Sequence, residues 1–164
     1  PREVKQSTKF HRRVGGDPIT FHLSNKKQTQ FLFVGGQHSQ QNSRPDVDVV
    51  LNLGEQPSSW YSSSNSEVSD RWVQKGEGEA GMTLREIVHE ATWVIQHLSS
   101  QKRVLVHCVA GLNRSVTICC ATLILLEGLT AEAALSRVRE QHPWARPDSH
   151  HWLNLRWLAH MSQK

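Results

Sequence analysis

The segment at residues 103–107, RVLVH, constrains the fold most, because it is a short apolar strand pattern between two helical patterns. Before it, apolar residues recur every three or four positions over residues 84–98. After it, residues 114–127 are apolar almost all round and end at Gly128, which is typical of a buried helix. A strand between two helices favours a central place in a parallel sheet. We therefore predict an α/β fold, with a central, mostly parallel sheet flanked by helices.

The remaining helices have recognisable boundaries. Thr83 and Glu86 have the spacing of a capping box, so the helix before the central strand is predicted to begin at Leu84. Two further helices are predicted at residues 131–141 and 149–161, because proline interrupts the helical pattern between them.

Four strands are predicted before these helices. Residues 19–23 and 30–34 have the pattern of a hairpin, joined through residues 25–27. Residues 47–53 are rich in β-branched side chains, and residues 71–74 resemble another short strand. The sheet is therefore expected to draw most of its strands from the first half of the chain.

The length of 164 residues suits a single domain. Residues 1–16 are charged and aperiodic, so we predict a flexible arm there and one domain over residues 17–164. The three cysteines lack the spacing of a disulfide framework or a zinc site, which favours a reducing compartment. We expect a cytoplasmic protein, with the nucleus as an alternative, that has no membrane partner and no evident obligate oligomer.

The sequence HCVAGLNRS lies in the turn between the central strand and the buried helix, where α/β sheets bind ligands. Cys108 is followed, after five residues, by Arg114 and Ser115. With His107 and Gly111, these residues form the pattern HCxxGxxRS. The pattern is far more specific than a cysteine and an arginine alone, and it predicts an anion-binding loop with a nucleophile.

This pattern resembles the signature of the protein tyrosine phosphatase superfamily, and within it the dual-specificity group, without a gap. Framework segments look similar too: FLFVGGQ at residues 31–37, VDVVLNLGEQ at 47–56 and GLTAEAALSRVREQHP at 128–143. The resemblance covers about residues 31–161. It implies a dual-specificity phosphatase-like fold.

The residue types suit phosphate chemistry independently of the resemblance. The thiolate, not the thiol, is the nucleophile, so the loop must stabilise negative charge on sulfur. Backbone amides wrapped around the site and the N-terminus of the next helix supply positive partial charge to a thiolate and to a phosphate dianion. The planar fork of an arginine holds two phosphoryl oxygens. The predicted phosphate-binding residues are Val109, Ala110, Gly111, Leu112, Asn113 and Arg114.

The resemblance implies a two-step reaction in which Cys108 attacks phosphorus and water then hydrolyses a phosphocysteine, with no metal or other cofactor. It implies that Ser115 helps the intermediate to break down and that His107 orients the cysteine. The expected partner is a phosphorylated protein substrate carrying phosphotyrosine, phosphoserine or phosphothreonine.

One expected residue is missing. The family generally places an aspartic acid about thirty residues before the cysteine, to protonate the leaving oxygen. Here that region is KGEGEAG, residues 75–81, whose glycines predict an irregular and mobile segment. Glu77 is the best candidate for the acid, Glu79 is its nearest rival, and Asp148 is a weaker one.

The missing aspartate leaves two alternatives open. A good leaving group needs little protonation, and the GLNR sequence resembles the RNA 5′-triphosphatase branch, so an RNA 5′ end is an alternative substrate. That branch usually has a second histidine and a threonine, where this chain has Val109, Ala110 and Ser115. The other alternative is a non-catalytic module that binds phosphorylated ligands, which the retained Cys108 and Arg114 disfavour. A loop without lysine also disfavours phosphoinositides.

Overall fold

The computed structural model describes residues 14–37, 46–57 and 69–163. Its strands are β1 (Asp17–Leu23), β2 (Lys26–Gly35), β3 (Val49–Asn52), β4 (Ser69–Trp72) and β5 (Val104–His107). Its helices are α1 (Leu84–Ser99), α2 (Arg114–Glu127), α3 (Ala131–Arg139) and α4 (Ser149–Ser162), and a 3₁₀ turn covers Gly78–Ala80. Most of the predicted arm lies outside the described residues, so the domain boundary stays a prediction.

The five strands form one sheet in the order β1-β2-β5-β3-β4. β5 lies in the centre and runs parallel to both β2 and β3, while β1 pairs with β2 in the antiparallel sense. The predicted α/β fold, with residues 103–107 as a central strand, is therefore confirmed. Gly35 and Asn52 both pair with His107, so three strands end together where the loop with Cys108 begins.

The predicted hairpin is confirmed, but its turn lies earlier than the predicted residues 25–27. Ser24 and Asn25 form the turn alone, with φ angles of 52° and 65°. Such a left-handed pair matches the twist of the two strands. Lys26 therefore already pairs with Leu23 at the start of β2.

Other bounds differ from the predicted ones. β4 covers Ser69–Trp72 and so lies two residues before the predicted range of 71–74; the amide of Val73 continues its pairing with a hydrogen bond to the carbonyl of Asn52, the last residue of β3. α3 ends at Arg139, two residues before the predicted end, and the chain then turns so that His142 reaches the loop after β5.

Helix α2 passes through the middle of the core, as its apolar composition predicted. Cys119 and Cys120 on this helix are fully buried, and burial raises the pKa of Cys120 to about 12 and that of Cys119 well above its usual value. Both thiols therefore serve as packing residues. Among the described residues no single helix is long and apolar enough to span a membrane, although α2 and α3, bent by 119°, together meet that test by length and composition only.

Helix α1 begins at Leu84, as predicted, with a complete capping box. The Thr83 hydroxyl accepts from the Glu86 amide at 3.2 Å, and the Glu86 carboxylate accepts from the Thr83 amide at 3.1 Å. On the buried face of α1, the carboxylate of Glu90 accepts two 2.9 Å hydrogen bonds from Arg71. This ion pair joins α1 to β4, at the far edge of the sheet.

We expect Glu90→Ala to lower the free energy of unfolding by about 3 kcal/mol, because it leaves the guanidinium of Arg71 without its partner. Arg71 is about one-third exposed, which places the cost at the lower end of the range for broken buried pairs. The melting temperature should fall by about 6–12 °C. Urea denaturation measures the loss, and Glu140→Ala, on an exposed residue, is the control. A decrease in the free energy of unfolding below about 1 kcal/mol would show that Arg71 and Glu90 behave as an ordinary surface ion pair.

Candidate active site

The loop between β5 and α2 is held from outside by its carbonyl groups. Three of these accept hydrogen bonds from the surrounding protein: Val109 O from Gln37 N, Gly111 O from His142 Nε2 and Leu112 O from Arg146 N. The N–H of a trans peptide unit points away from its C=O, so the amides that follow these carbonyls face the inner side of the loop. Within the described residues, the amides of residues 109–113 donate to no acceptor. The loop therefore presents free donors, as an anion cradle requires.

Two glycines allow this loop to lie against the end of β2. Gly111 has a φ of 73°, and a Cβ there would lie 2.9 Å from Gly36 N. A Cβ on Gly36 would lie 3.0 Å from Val109 O. Neither position can accept a side chain without displacing backbone.

His142 braces the loop from its other side. Its Nε2 donates to the carbonyl of Gly111, and its Nδ1 lies 2.7 Å from Oδ2 of Asp17, at the start of β1. The imidazole is buried. The first strand of the sheet is thus linked to the middle of the loop through one side chain, which the sequence did not predict.

Cys108 lies at the bottom of the loop and is almost fully buried. Its Sγ is 3.2 Å from Oγ of Ser115, which in turn is 3.2 Å from the carbonyl of Gly35. The single proton of the hydroxyl serves one acceptor at a time, so it is free to turn from the carbonyl to an ionised sulfur. The structure thus brings Ser115 and Cys108 together.

Arg114, in the first turn of α2, is also buried, and its guanidinium is only partly used. Nη1 donates to the carbonyl of Lys75 at 2.6 Å. Nε is buried and has no hydrogen-bond partner in the described part of the chain. Oε1 of Glu77 lies 3.5 Å from this Nε, which is an ion-pair distance but too long for a well-formed hydrogen bond. Arg114 therefore keeps a donor for a ligand and anchors the segment that carries Glu77.

The two glutamates of this segment differ in their surroundings. Glu77 precedes the 3₁₀ turn and contacts Arg114, with about half of its side chain exposed. Glu79 lies in the turn and has no hydrogen bond or ion pair to a described residue. The predicted irregular segment is confirmed, and its mobility stays a prediction.

His107, the last residue of β5, is buried beneath the loop, with Nδ1 3.5 Å from the carbonyl of Cys108. Burial lowers the pKa of His107 to about 4, so the imidazole is neutral at physiological pH. The orienting role that the resemblance implies for His107 stays a prediction.

Sequence reasoning missed the side-chain role of Asn113. Its Oδ1 accepts from the Asp148 amide at 2.8 Å and lies 2.9 Å from Nδ1 of His151, while its Nδ2 donates to Oδ2 of Asp148 at 2.9 Å. Asp148 thus contacts the loop through Asn113, and its carboxylate also caps α4. Of these contacts, only the helix cap at Asp148 could be recognised from the sequence. Among the described residues, no three His, Cys, Asp or Glu side chains converge as metal ligands do.

The sequence matches the family described as "Dual specificity phosphatase, catalytic domain" over residues 31–160. Tyrosine-protein phosphatase yvh1 of Schizosaccharomyces pombe is 31% identical over 85 residues, which cover 52% of this chain and 26% of that protein. Dual specificity protein phosphatase Mpk3 of Drosophila melanogaster is 42% identical over 52 residues, which cover 32% of this chain and 13% of that protein. The chain thus matches about a quarter or less of the length of these relatives.

Solved structures share the fold. Human DUSP28 is similar with a TM-score of 0.70 and 22% identity, covering 81% of this chain and 90% of that one. A mouse putative dual specificity phosphatase complexed with zinc tungstate also gives 0.70, with 21% identity, covering 80% and 84% of the two chains. The family match extends over most of the sequence and includes the whole loop described above. The chain belongs to the dual-specificity phosphatase family.

Proposed function

We propose that this chain is a cysteine-dependent phosphatase that hydrolyses phosphotyrosine, phosphoserine or phosphothreonine in proteins. The observation that carries the proposal is the set of inward-facing amides around Cys108, together with the Nε of Arg114, which has no hydrogen-bond partner among the described residues. These donors suit the oxygens of a phosphoryl group held in line with the sulfur. Family membership supports the same chemistry.

In the first step, the thiolate of Cys108 attacks phosphorus, the P–O bond breaks, and the leaving oxygen takes a proton from Glu77. In the second step, water attacks the phosphocysteine and gives its proton to the carboxylate of Glu77. Phosphate leaves, and the thiolate and the protonated acid are restored. Ser115, 3.2 Å from the sulfur, stabilises the thiolate when it departs.

Glu77 is supported as the acid by its placement. The hydrogen bond from Arg114 to the carbonyl of Lys75 fixes the backbone two residues before Glu77 beside the loop of residues 108–114, which we call the phosphate loop. The Glu77 carboxylate already reaches the guanidinium that would bind the phosphate.

We expect Glu77→Gln to lower kcat about 10²-fold for phenyl and alkyl phosphates, and less than about 3-fold for esters with strongly acidic leaving groups. The amide keeps the size of the side chain but cannot donate the proton. A series of aryl phosphates of graded leaving-group acidity measures the difference. Glu79→Gln, in the same segment, is the matched control and should change little. A uniform loss across the series would limit Glu77 to binding or folding.

The substrate class can be tested with three ligands: a phosphotyrosine peptide, a phosphothreonine peptide and a triphosphate-ended RNA. We expect kcat/KM to be at least about 10-fold higher for one of the peptides than for the RNA, because the loop lacks the extra cations that suit a polyphosphate. Turnover of the RNA end alone would contradict a protein substrate. Binding of all three without turnover would support the non-catalytic module.

A further inference from the structure

The N-cap and first turn of α4 hold the segment that carries Glu77, at its middle and directly after its end. At its middle, the amide of Gly78 donates to Oδ2 of Asp148 at 2.9 Å. Directly after its end, the amide of Met82 donates to Nε2 of His151 at 3.0 Å, and the carbonyl of Met82 lies 3.0 Å from Nε2 of His150. The segment is thus anchored by side chains that lie about seventy residues away in the sequence.

The same side chains bind the phosphate loop. Oδ2 of Asp148 accepts from Gly78 and also from the side-chain amide of Asn113, whose backbone belongs to the loop. His151 contributes a second link. Its Nε2 accepts from Met82 and therefore carries no proton, so its Nδ1 carries one and donates to Oδ1 of Asn113 at 2.9 Å. Two independent bridges thus run from the segment to one asparagine.

The glycines of the segment fit this arrangement. A Cβ on Gly81 would lie 2.7 Å from Nε2 of His151, so a side chain there would displace the imidazole from Met82. Gly78 has a φ of 57°, which directs its amide toward Asp148 at little conformational cost. The KGEGEAG sequence is therefore matched to the residues at the start of α4.

Asp148 is not suited to be the acid itself. Its carboxylate accepts from the amides of His151 and Gly78 and from the side chain of Asn113. Burial alone would raise the pKa of Asp148, but these hydrogen bonds together bring it below its usual value. The carboxylate is therefore ionised at neutral pH and has no proton to give.

We propose that Asp148 is a positioning residue, which ties the segment with Glu77 to Asn113 and so places the acid beside the phosphate loop before a substrate binds. The proposal rests on the proposed phosphatase function and on Glu77 as its acid. It also explains why an ionised carboxylate lies next to an anion-binding loop. Three N–H groups donate to this carboxylate and stabilise its charge. None of the three is an inward-facing backbone amide of that loop.

The test is Asp148→Ser, because serine caps a helix as well as aspartate does but has no second oxygen for Gly78 and Asn113. We expect kcat for phenyl and alkyl phosphates to fall about 30- to 100-fold, as for a misplaced acid, and to change less than about 3-fold for strongly acidic leaving groups. In a Glu77→Gln background, Asp148→Ser should lower kcat for these phosphates by less than about a further 2-fold, since the proton donor is already absent.

Two further measurements separate this role from a structural one. Thr130→Ala removes the cap of α3, where Thr130 accepts from Ala133, and is the control for a loss of stability without a change in leaving-group dependence. Amide hydrogen exchange at Gly78 should accelerate about 10-fold or more in Asp148→Ser and stay unchanged in Thr130→Ala.

Several results would overturn the positioning role: an equal loss across all leaving groups, a loss that multiplies with that of Glu77→Gln, or unchanged exchange at Gly78. If Asp148→Ser selectively slowed the esters with poor leaving groups and Glu77→Gln did not, Asp148 would be the acid. If the wild-type chain showed no turnover dependent on Cys108, the phosphatase function itself would fail. The exchange rate at Gly78 would then still decide whether Asp148 anchors the segment.

Discussion

Replacing Cys108 with serine is expected to lower kcat by at least about 10⁴-fold for every phosphomonoester, while inorganic phosphate still binds. A serine hydroxyl ionises far less readily than a thiol and cannot form the phosphocysteine. We expect the amides of residues 109–113 and the guanidinium of Arg114 to supply the anion binding, because these groups have donors that no described residue uses and that do not involve the sulfur. Turnover of an aryl phosphate and calorimetric titration with phosphate measure the two properties separately.

The natural control is Cys119→Ala, which removes a buried thiol from α2 and leaves the phosphate loop intact. It should retain turnover, although the small cavity costs some stability. Undiminished turnover by Cys108→Ser would refute a mechanism through phosphocysteine. Loss of phosphate binding in the same variant would show that the loop does not form a cradle without its thiol.

Replacing Arg114 with lysine is expected to lower kcat/KM about 10³-fold, although the positive charge is retained. A single ammonium cannot match both the Nε, which lies beside Glu77, and the Nη1, which binds the carbonyl of Lys75. The variant therefore weakens phosphate binding and also releases the backbone that positions Glu77. The inhibition constant for inorganic phosphate and the leaving-group series distinguish these two effects.

Arg156→Lys is the matched control, because Arg156 forms an exposed ion pair with Glu132 on the surface of the helices. Equal kcat/KM for Arg114→Lys and the wild type would reduce Arg114 to a structural residue. If phosphate binding weakened but leaving-group dependence did not change, the link through Lys75 would have no part in placing the acid.

The parts of the fold that were predictable are those set by local spacing. The capping box of Thr83 and Glu86 determines where α1 begins through residues only three apart, and the structure has both of its hydrogen bonds. The strand before Cys108 was also predictable, because continuous apolar character between two helices is typical of a central strand. The phosphate loop follows directly from that strand.

The contacts that complete the site were not predictable, because they join residues far apart in the chain. Asn113 and Asp148 are separated by 35 positions, and Arg114 meets the carbonyl of Lys75 across 39. Neither polar pair can be recognised from a periodicity or a spacing in the sequence. Each pair forms only because α4 and the glycine-rich segment pack against the loop in the folded chain. The early end of α3 has the same origin, because His142 leaves the helical path to reach Gly111.

The link from Asp17 through His142 to Gly111 bears on where this domain begins. The family match starts at residue 31, inside β2, whereas Asp17 is the first residue of β1. A protein fragment cut at the family boundary would lose the whole of β1 and the carboxylate that holds the His142 ring. It would also expose the edge of β2 as an unpaired strand, which favours aggregation. The smallest portion of this chain that retains the contact between Asp17 and His142 therefore starts no later than Asp17.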